Sequence, residues 1–114
     1  MAGFRPTAVV VHPDVEADYA RIEAGARAGR KGEAALWKSL QTCIGRIRLD
    51  GQWGEVIPRL PAYFADRYGA RNLYCIDLVS FHRAFYTIEG RTVILLDIVD
   101  HSKYDKWFPG SGRR

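Results

Sequence analysis

The 114-residue sequence predicts an α+β fold with its elements in the order β-α-α-β-β-β-α. Three observations carry that expectation. Apolar residues recur at helical spacing from Val15 to Ile47. Runs rich in β-branched and aromatic residues, one continuous strand length each, then occupy residues 72 to 99. The links between those later runs are only a few residues long, which favours an antiparallel meander over crossover connections. Helices and strands are thus segregated along the chain, as in α+β domains.

Taken in order, Ala8 to His12 reads as a short buried strand because three consecutive valines form its centre. His12-Pro13-Asp14 ends it and starts a helix: proline is tolerated in a first helical turn, and Asp14, Glu16 and Asp18 suit the positive end of the helix dipole. Val15, Tyr19, Ile22 and Ala26 form its apolar stripe, and Gly29-Arg30-Lys31-Gly32 ends it. A second helix begins near Glu33, with Leu36, Leu40, Cys43, Ile44 and Ile47 on one face and Arg46 and Arg48 off it. The short glycine turn makes the two helices an antiparallel hairpin. Residues 51–61 form a connector whose Trp53, Val56, Ile57 and Leu60 anchor it, and Ala62 to Tyr68 forms a helical turn stopped by Gly69. Strands follow at 72–78, 81–88 and 92–99, the last two joined by a tight hairpin at Glu89-Gly90. A final helix is expected over Ser102–Phe108, with a loose tail at 109–114.

The length suits a single domain spanning the chain. Hydrophobic residues make up 47% and charged residues 26%, too apolar for a disordered chain. No apolar run approaches the ~20 residues of a membrane helix, and the first residues lack the apolar core of an export signal. Cys43 and Cys75 show no metal or redox spacing and read as reduced thiols of a cytoplasmic protein. The net charge is +4, but it is unevenly placed: nine basic residues against four acids between Arg27 and Arg71 give that segment +5 and the rest of the chain −1. That excess is either a solvated helix face or a phosphate-facing surface.

Strand alternation places Cys75, Asp77, Arg83, Asp97 and His101 on one side of the meander. Tyr74, Ile76, Leu78, Ala84, Tyr86, Ile88, Ile94, Leu96 and Ile98 fall on the other, which the helices should cover. Arg83 lies mid-strand in the aromatic stretch Phe81-His-Arg-Ala-Phe-Tyr86. It either pairs with Asp77 or Asp97 on a neighbouring strand or forms an anion site for phosphate. His12 and His82 are assigned structural roles. Cys75, Asp77 and His101 lack the spacing of metal ligands, and no cofactor is expected.

The element order, the stretch Asn72-Leu-Tyr-Cys-Ile-Asp-Leu78, the aromatic-flanked Arg83 in His82-Arg-Ala-Phe-Tyr-Thr87, and Asp97-Ile-Val-Asp-His-Ser-Lys-Tyr-Asp-Lys-Trp-Phe108 resemble the RelE/ParE toxin superfamily. The resemblance covers about residues 8–108. It implies a toxin of a type II toxin–antitoxin pair, neutralised by a small cognate antitoxin. RelE-like members cut mRNA on the ribosome; ParE-like members poison DNA gyrase. RelE-like cleavage is metal-independent: the ribose 2′-hydroxyl attacks the adjacent phosphate and the 5′-oxygen leaves. That chemistry needs proton transfer and cationic stabilisation of the phosphorane. By resemblance, Arg83 matches the strand arginine that contacts the scissile phosphate. His101 matches a basic residue that protonates the leaving group, a role suited to histidine. Tyr104 lies close to a C-terminal aromatic that stacks on a base. The structural alternatives are capping or salt-bridging near Asp100 for His101, and packing of the last helix for Tyr104. Trp107 and Phe108 are read as packing or partner-binding groups.

The chain departs from the family pattern where lysines are expected, since Cys75 and Asp77 occupy those positions. Arg46, Arg48 and Arg59 are the candidates to replace them as nucleic-acid contacts. The departure favours the alternative of a non-catalytic toxin of the ParE kind, or an interaction module on the same fold; His101 and Tyr104 favour the nuclease.

Overall fold

The computed structural model describes residues 4–100. The expected final helix and tail, with His101, Tyr104, Trp107 and Phe108, lie outside the described residues. Within them are three helices and one five-stranded sheet: β1 (Ala8–Val11), α1 (Pro13–Arg27), α2 (Lys31–Leu49), β2 (Glu55–Val56), α3 (Ala62–Tyr68), β3 (Tyr74–Leu78), β4 (His82–Glu89) and β5 (Thr92–Asp100). The sheet order is β1-β5-β4-β3-β2, with β1 parallel to β5 and every other neighbour antiparallel. The architecture is mixed helix and sheet, as an α+β class requires. No described helix is long and apolar enough to cross a membrane.

The helical hairpin forms where the apolar spacing places it. His12 caps α1, its Nδ1 accepting from the Asp14 amide at 3.0 Å, and Pro13 opens the first turn. At the other end Arg30 N donates to Gly25 O and Gly29 N to Ala26 O, with Gly29 at φ 82°. This paired arrangement satisfies the last carbonyls of the helix and requires the left-handed backbone that glycine supplies. α2 starts two residues earlier than Glu33. All five expected stripe residues, Leu36, Leu40, Cys43, Ile44 and Ile47, are buried. They join Val15 and Ile22 of α1 and pack on Ile76, Leu78, Ala84, Tyr86, Val93, Leu95 and Ile98 of the sheet.

The first strand corrects an expectation. Ala8–Val11 is not a buried strand but an edge strand with Val10 42% exposed. Three valines mark β propensity, and nothing in that run shows whether a strand has one neighbour or two. The connector also contains a strand that the sequence reading left out. Glu55 and Val56 pair with Cys75 and Tyr74 and form the opposite edge. With only two residues, β2 is too short to show a period-two pattern.

A bulge in β5 corrects the assignment of faces. Phe85 pairs with Asp97, but the next residue, Tyr86, pairs with Leu95, so Leu96 is the extra residue. Alternation therefore changes phase there. Val93 and Leu95 face the helices, while Ile94 and Leu96 face the other way. The second face is also not an open polar surface. Phe64, Ala70, Leu73, Cys75, Phe85, Leu96 and Val99 form a second core under α3, flanked by Ile57, Leu60, Tyr68 and Ile94.

Two polar side chains lock the sheet to its surroundings. Asn72 stands just before β3, its Nδ2 donating to Ile88 O at 2.9 Å and its Oδ1 accepting from Ile88 N at 2.8 Å. The side chain thus stands in for a backbone partner beside β4. Tyr86, fully buried and stacked on Tyr74 at 5.1 Å, donates its hydroxyl to Gly51 O at 2.8 Å and accepts from Gly54 N at 2.9 Å. A Cβ on Gly54 would sit 2.9 Å from that hydroxyl, so the connector reaches the tyrosine only with glycine there. Replacing Tyr86 by phenylalanine keeps the ring but strands two connector groups. Denaturant unfolding of Tyr86→Phe should show a loss of about 1–3 kcal/mol.

Candidate functional site

The ends of β3 and β4 carry the candidate site. Asp77 and Arg83 are directly paired across the two strands, and Arg83 Nε lies 3.2 Å from Asp77 Oδ1. Of the two partners the alternation allowed, Asp77 is therefore one that Arg83 engages. The Arg83 side chain is 27% exposed and that of Asp77 is 79% exposed. Solvent screens so open a pair, which orients the guanidinium more than it stabilises the fold. Asp77, Leu78, Phe81, His82 and Arg83 line a hollow of about 320 Å³.

The neighbouring groups narrow what the hollow can do. Cys75 is 4% exposed, and burial pushes its thiol up to about 12. The Arg83 guanidinium opposes this shift, and Asp77 and Glu55 add to it. Such a thiol stays protonated at neutral pH and is no nucleophile. Asp97, expected on the open polar face, is instead buried opposite Phe85, its Oδ1 accepting from the Ile98 amide at 2.9 Å. His82 has its Nδ1 2.7 Å from Ser80 O. A carbonyl only accepts, so Nδ1 carries the proton and Nε2 is the acceptor in the neutral ring. Its structural role is thus to brace the β3–β4 turn, although it also lines the hollow.

The cationic residues expected to assist Arg83 are placed differently. Arg46 and Arg48 are exposed on α2, which packs on the opposite face of the sheet from Phe85. The sheet stands between them and the face carrying Arg83. Arg46 also lies 5.7 Å from the centroid of Trp53, a cation–π contact that holds the start of the connector. Arg59 is exposed on the connector, whose Ile57 and Leu60 pack on the Arg83 side. Among these three, Arg59 alone belongs to a segment on that face. His101 and Tyr104 lie outside the described residues.

A second hollow, about 500 Å³, opens at the far end of the same face beside the β4–β5 hairpin. His12, Tyr68, Arg71, Asn72, Thr87 and Ile94 contribute to it. Four of its polar groups serve the fold. His12 caps α1, Asn72 and Thr87 bond backbone and each other, and burial raises the Tyr68 phenol above its usual range. Among the described residues no cluster of His, Cys, Asp and Glu could hold a metal ion.

One feature beside Arg83 escaped the sequence reading. Ser80 and Phe81 both adopt positive φ, 61° and 58°, and Phe81 is 81% exposed. The sequence places Phe81 in the strand, because a hydrophobic residue at the start of an alternating run looks like strand; the structure starts β4 at His82. The available signal was the absence of any Gly or Asn between two strands only three residues apart.

The buried thiol gives a pH test. Because folding raises the Cys75 pKa from 9.0 to about 12, the unfolded chain loses that proton first as pH rises. The thiol's contribution is complete below pH ~8.5 and is lost as pH climbs towards 12. Denaturation measured across that alkaline window should show stability falling with pH, and the slope should be shallower in Cys75→Ala.

Comparisons with protein-family models, curated proteins and solved structures return no match to this chain.

Proposed function

We propose that this protein is a RelE-like toxin of a type II toxin–antitoxin system, a metal-independent mRNA endoribonuclease that works on the ribosome and is held in check by a cognate antitoxin. The observation that carries this reading is Arg83: a mid-sheet arginine whose guanidinium reaches a hollow at the strand ends, beside an exposed aromatic ring. A guanidinium presents a planar fork of donors matched to phosphate oxygens, and a developing phosphorane is stabilised by such a fixed cation. The order of helices and strands supports the same family, as does the antiparallel run β3-β4-β5. His101 is the proposed proton donor to the 5′-oxygen and Tyr104 the proposed stacking group, both on the family resemblance. Cytoplasmic action on ribosome-bound mRNA follows from the same reading.

A second reading has its own observation. Asp77 engages Arg83 at 3.2 Å, and Cys75 is buried and protonated where the family pattern has lysines. A site whose one arginine among the described residues is held by a carboxylate is better suited to binding than to phosphodiester cleavage. This supports a non-catalytic toxin of the gyrase-directed kind, or an interaction module.

Induction of the protein followed by mapping of mRNA 5′ ends separates the two. The nuclease generates new ends inside translated frames, and Arg83→Ala lowers their yield by roughly 10²–10³-fold, the usual loss when a charge-stabilising group is removed. His101→Ala should also abolish them. Intact mRNA together with trapped gyrase–DNA complexes overturns the nuclease in favour of the second reading.

A further inference from the structure

The β3–β4 connection is built against its own backbone preference. Leu78 and His82 form the last strand pair, and His82 N donates to Val79 O at 3.4 Å. Ser80 and Phe81 are therefore the central residues of the turn, both at positive φ. A hairpin turn with two such residues strongly favours Asn-Gly or Gly-Gly, because a Cβ crowds the backbone in the left-handed region. Bulky side chains are the least suited to it. The chain follows that rule elsewhere: Gly29, Gly69 and Gly90 hold the other positive-φ positions among the described residues. Ser80 and Phe81 are the exceptions. Burial does not offset the strain, since the Phe81 ring is the most exposed large hydrophobic group described. A strained, exposed aromatic at the rim of a hollow that also contains Arg83 is the kind of backbone outlier that points to a ligand.

We propose that Phe81 is a base-stacking platform: single-stranded RNA lays one nucleobase on its ring while an adjoining phosphate takes the Arg83 guanidinium. This rests on the RNA-directed reading of the site and names how that site holds its substrate. Phe81 and Arg83 line the same hollow, so a base on the ring and a phosphate on the guanidinium can belong to one short stretch of strand. The ring supplies a sequence-tolerant contact and the cation a contact to the backbone, the pairing typical of single-strand binding. Asp77 orients the guanidinium, and its exposure lets a phosphate compete for the same donors.

The test uses the full chain and a short, unstructured oligoribonucleotide with 2′-O-methyl groups, so that it binds without being cut. Phe81→Gly relieves the turn, so its melting temperature should equal or exceed that of the parent. RNA binding should nonetheless weaken roughly tenfold or more. The slope of log affinity against log salt should stay unchanged in Phe81→Gly, whereas Arg83→Ala should reduce it by about 0.7, as expected for one lost phosphate contact on a single strand. Phe81→Trp should bind as tightly as the parent and Phe81→Leu should not; this pair decides the matter even if the glycine variant melts lower. Equal binding by the Trp and Leu variants overturns the proposal, as does parental affinity in Phe81→Gly. Loss of a protein partner with RNA binding intact also overturns it, making Phe81 a protein contact. If the parent cuts mRNA in cells while Phe81→Gly binds RNA normally, only the stacking role fails. If the parent neither binds the oligonucleotide nor produces new mRNA ends, the nuclease reading fails with it.

Discussion

The extra residue in β5 is the constraint on which the rest of the sheet depends. Because Leu96 is inserted between the partners of Tyr86 and Phe85, the strand changes phase midway. Its first half sends Val93 and Leu95 to α1 and α2. Its second half sends Asp97 and Val99 towards the opposite face and Ile98 back to the helices. Without the bulge, the same sequence would place Asp97 in the main core or Val93 and Leu95 away from it. A one-residue slip exchanges every side chain between faces, so one inserted residue decides which groups can meet.

That phase change explains why the sheet has two cores and only a small open site. The helical hairpin covers one face. On the other, α3 and the connector bring Phe64, Ile57 and Leu60 over Phe85 and Leu96. Phe64 lies 5.3 Å from Phe85, and Tyr86 holds the connector from within the sheet through Gly51 and Gly54. α3 is in turn tied to the start of α1 by Arg67 and Asp14 at 2.6 Å and by the edge contact of His12 with Tyr68. Among the described residues, neither α3 nor the helical hairpin covers the end of β3 and β4 on the face where Asp77 and Arg83 stand beside the strained turn. The two hollows share a face but differ in chemistry. In the larger, His12, Asn72 and Thr87 hold the backbone; the smaller brings Arg83 and Asp77 together beside Phe81.

The charge pattern has a corresponding division. The basic excess between Arg27 and Arg71 is carried largely by the α1–α2 turn, α2 and the connector. Arg46 and Arg48 lie on the layer opposite Arg83, so they do not replace lysines next to it. A polyanion that met both regions would have to pass round an edge of the sheet, and the β2 edge, where Arg46 lies over Trp53, is the one α2 ends beside.

The sequence by itself determined α1, α2, α3 and the meander, and it singled out Arg83 as the residue to ask about. Periodicity, a proline at a helix start, glycines at positive φ and short links are local signals, and each element they mark among the described residues is present. The stripe from Leu36 to Ile47 is buried as its spacing required. The pairing of Arg83 with Asp77 was one of two partners that alternation offered. Tertiary structure alone decided the rest. An edge strand and a central strand share one composition, so β1 misled; two residues cannot show a period, so β2 was invisible. A bulge has no signature when every residue around it is apolar, as in Val93-Ile-Leu-Leu96. The burial of Cys75 and Asp97 depended on where a seven-residue helix came to rest, and the strain at Phe81 on how two strands joined. Apart from that turn, whose short glycine-free link is a local signal, these are contacts between segments distant in the chain, and no local pattern encodes them.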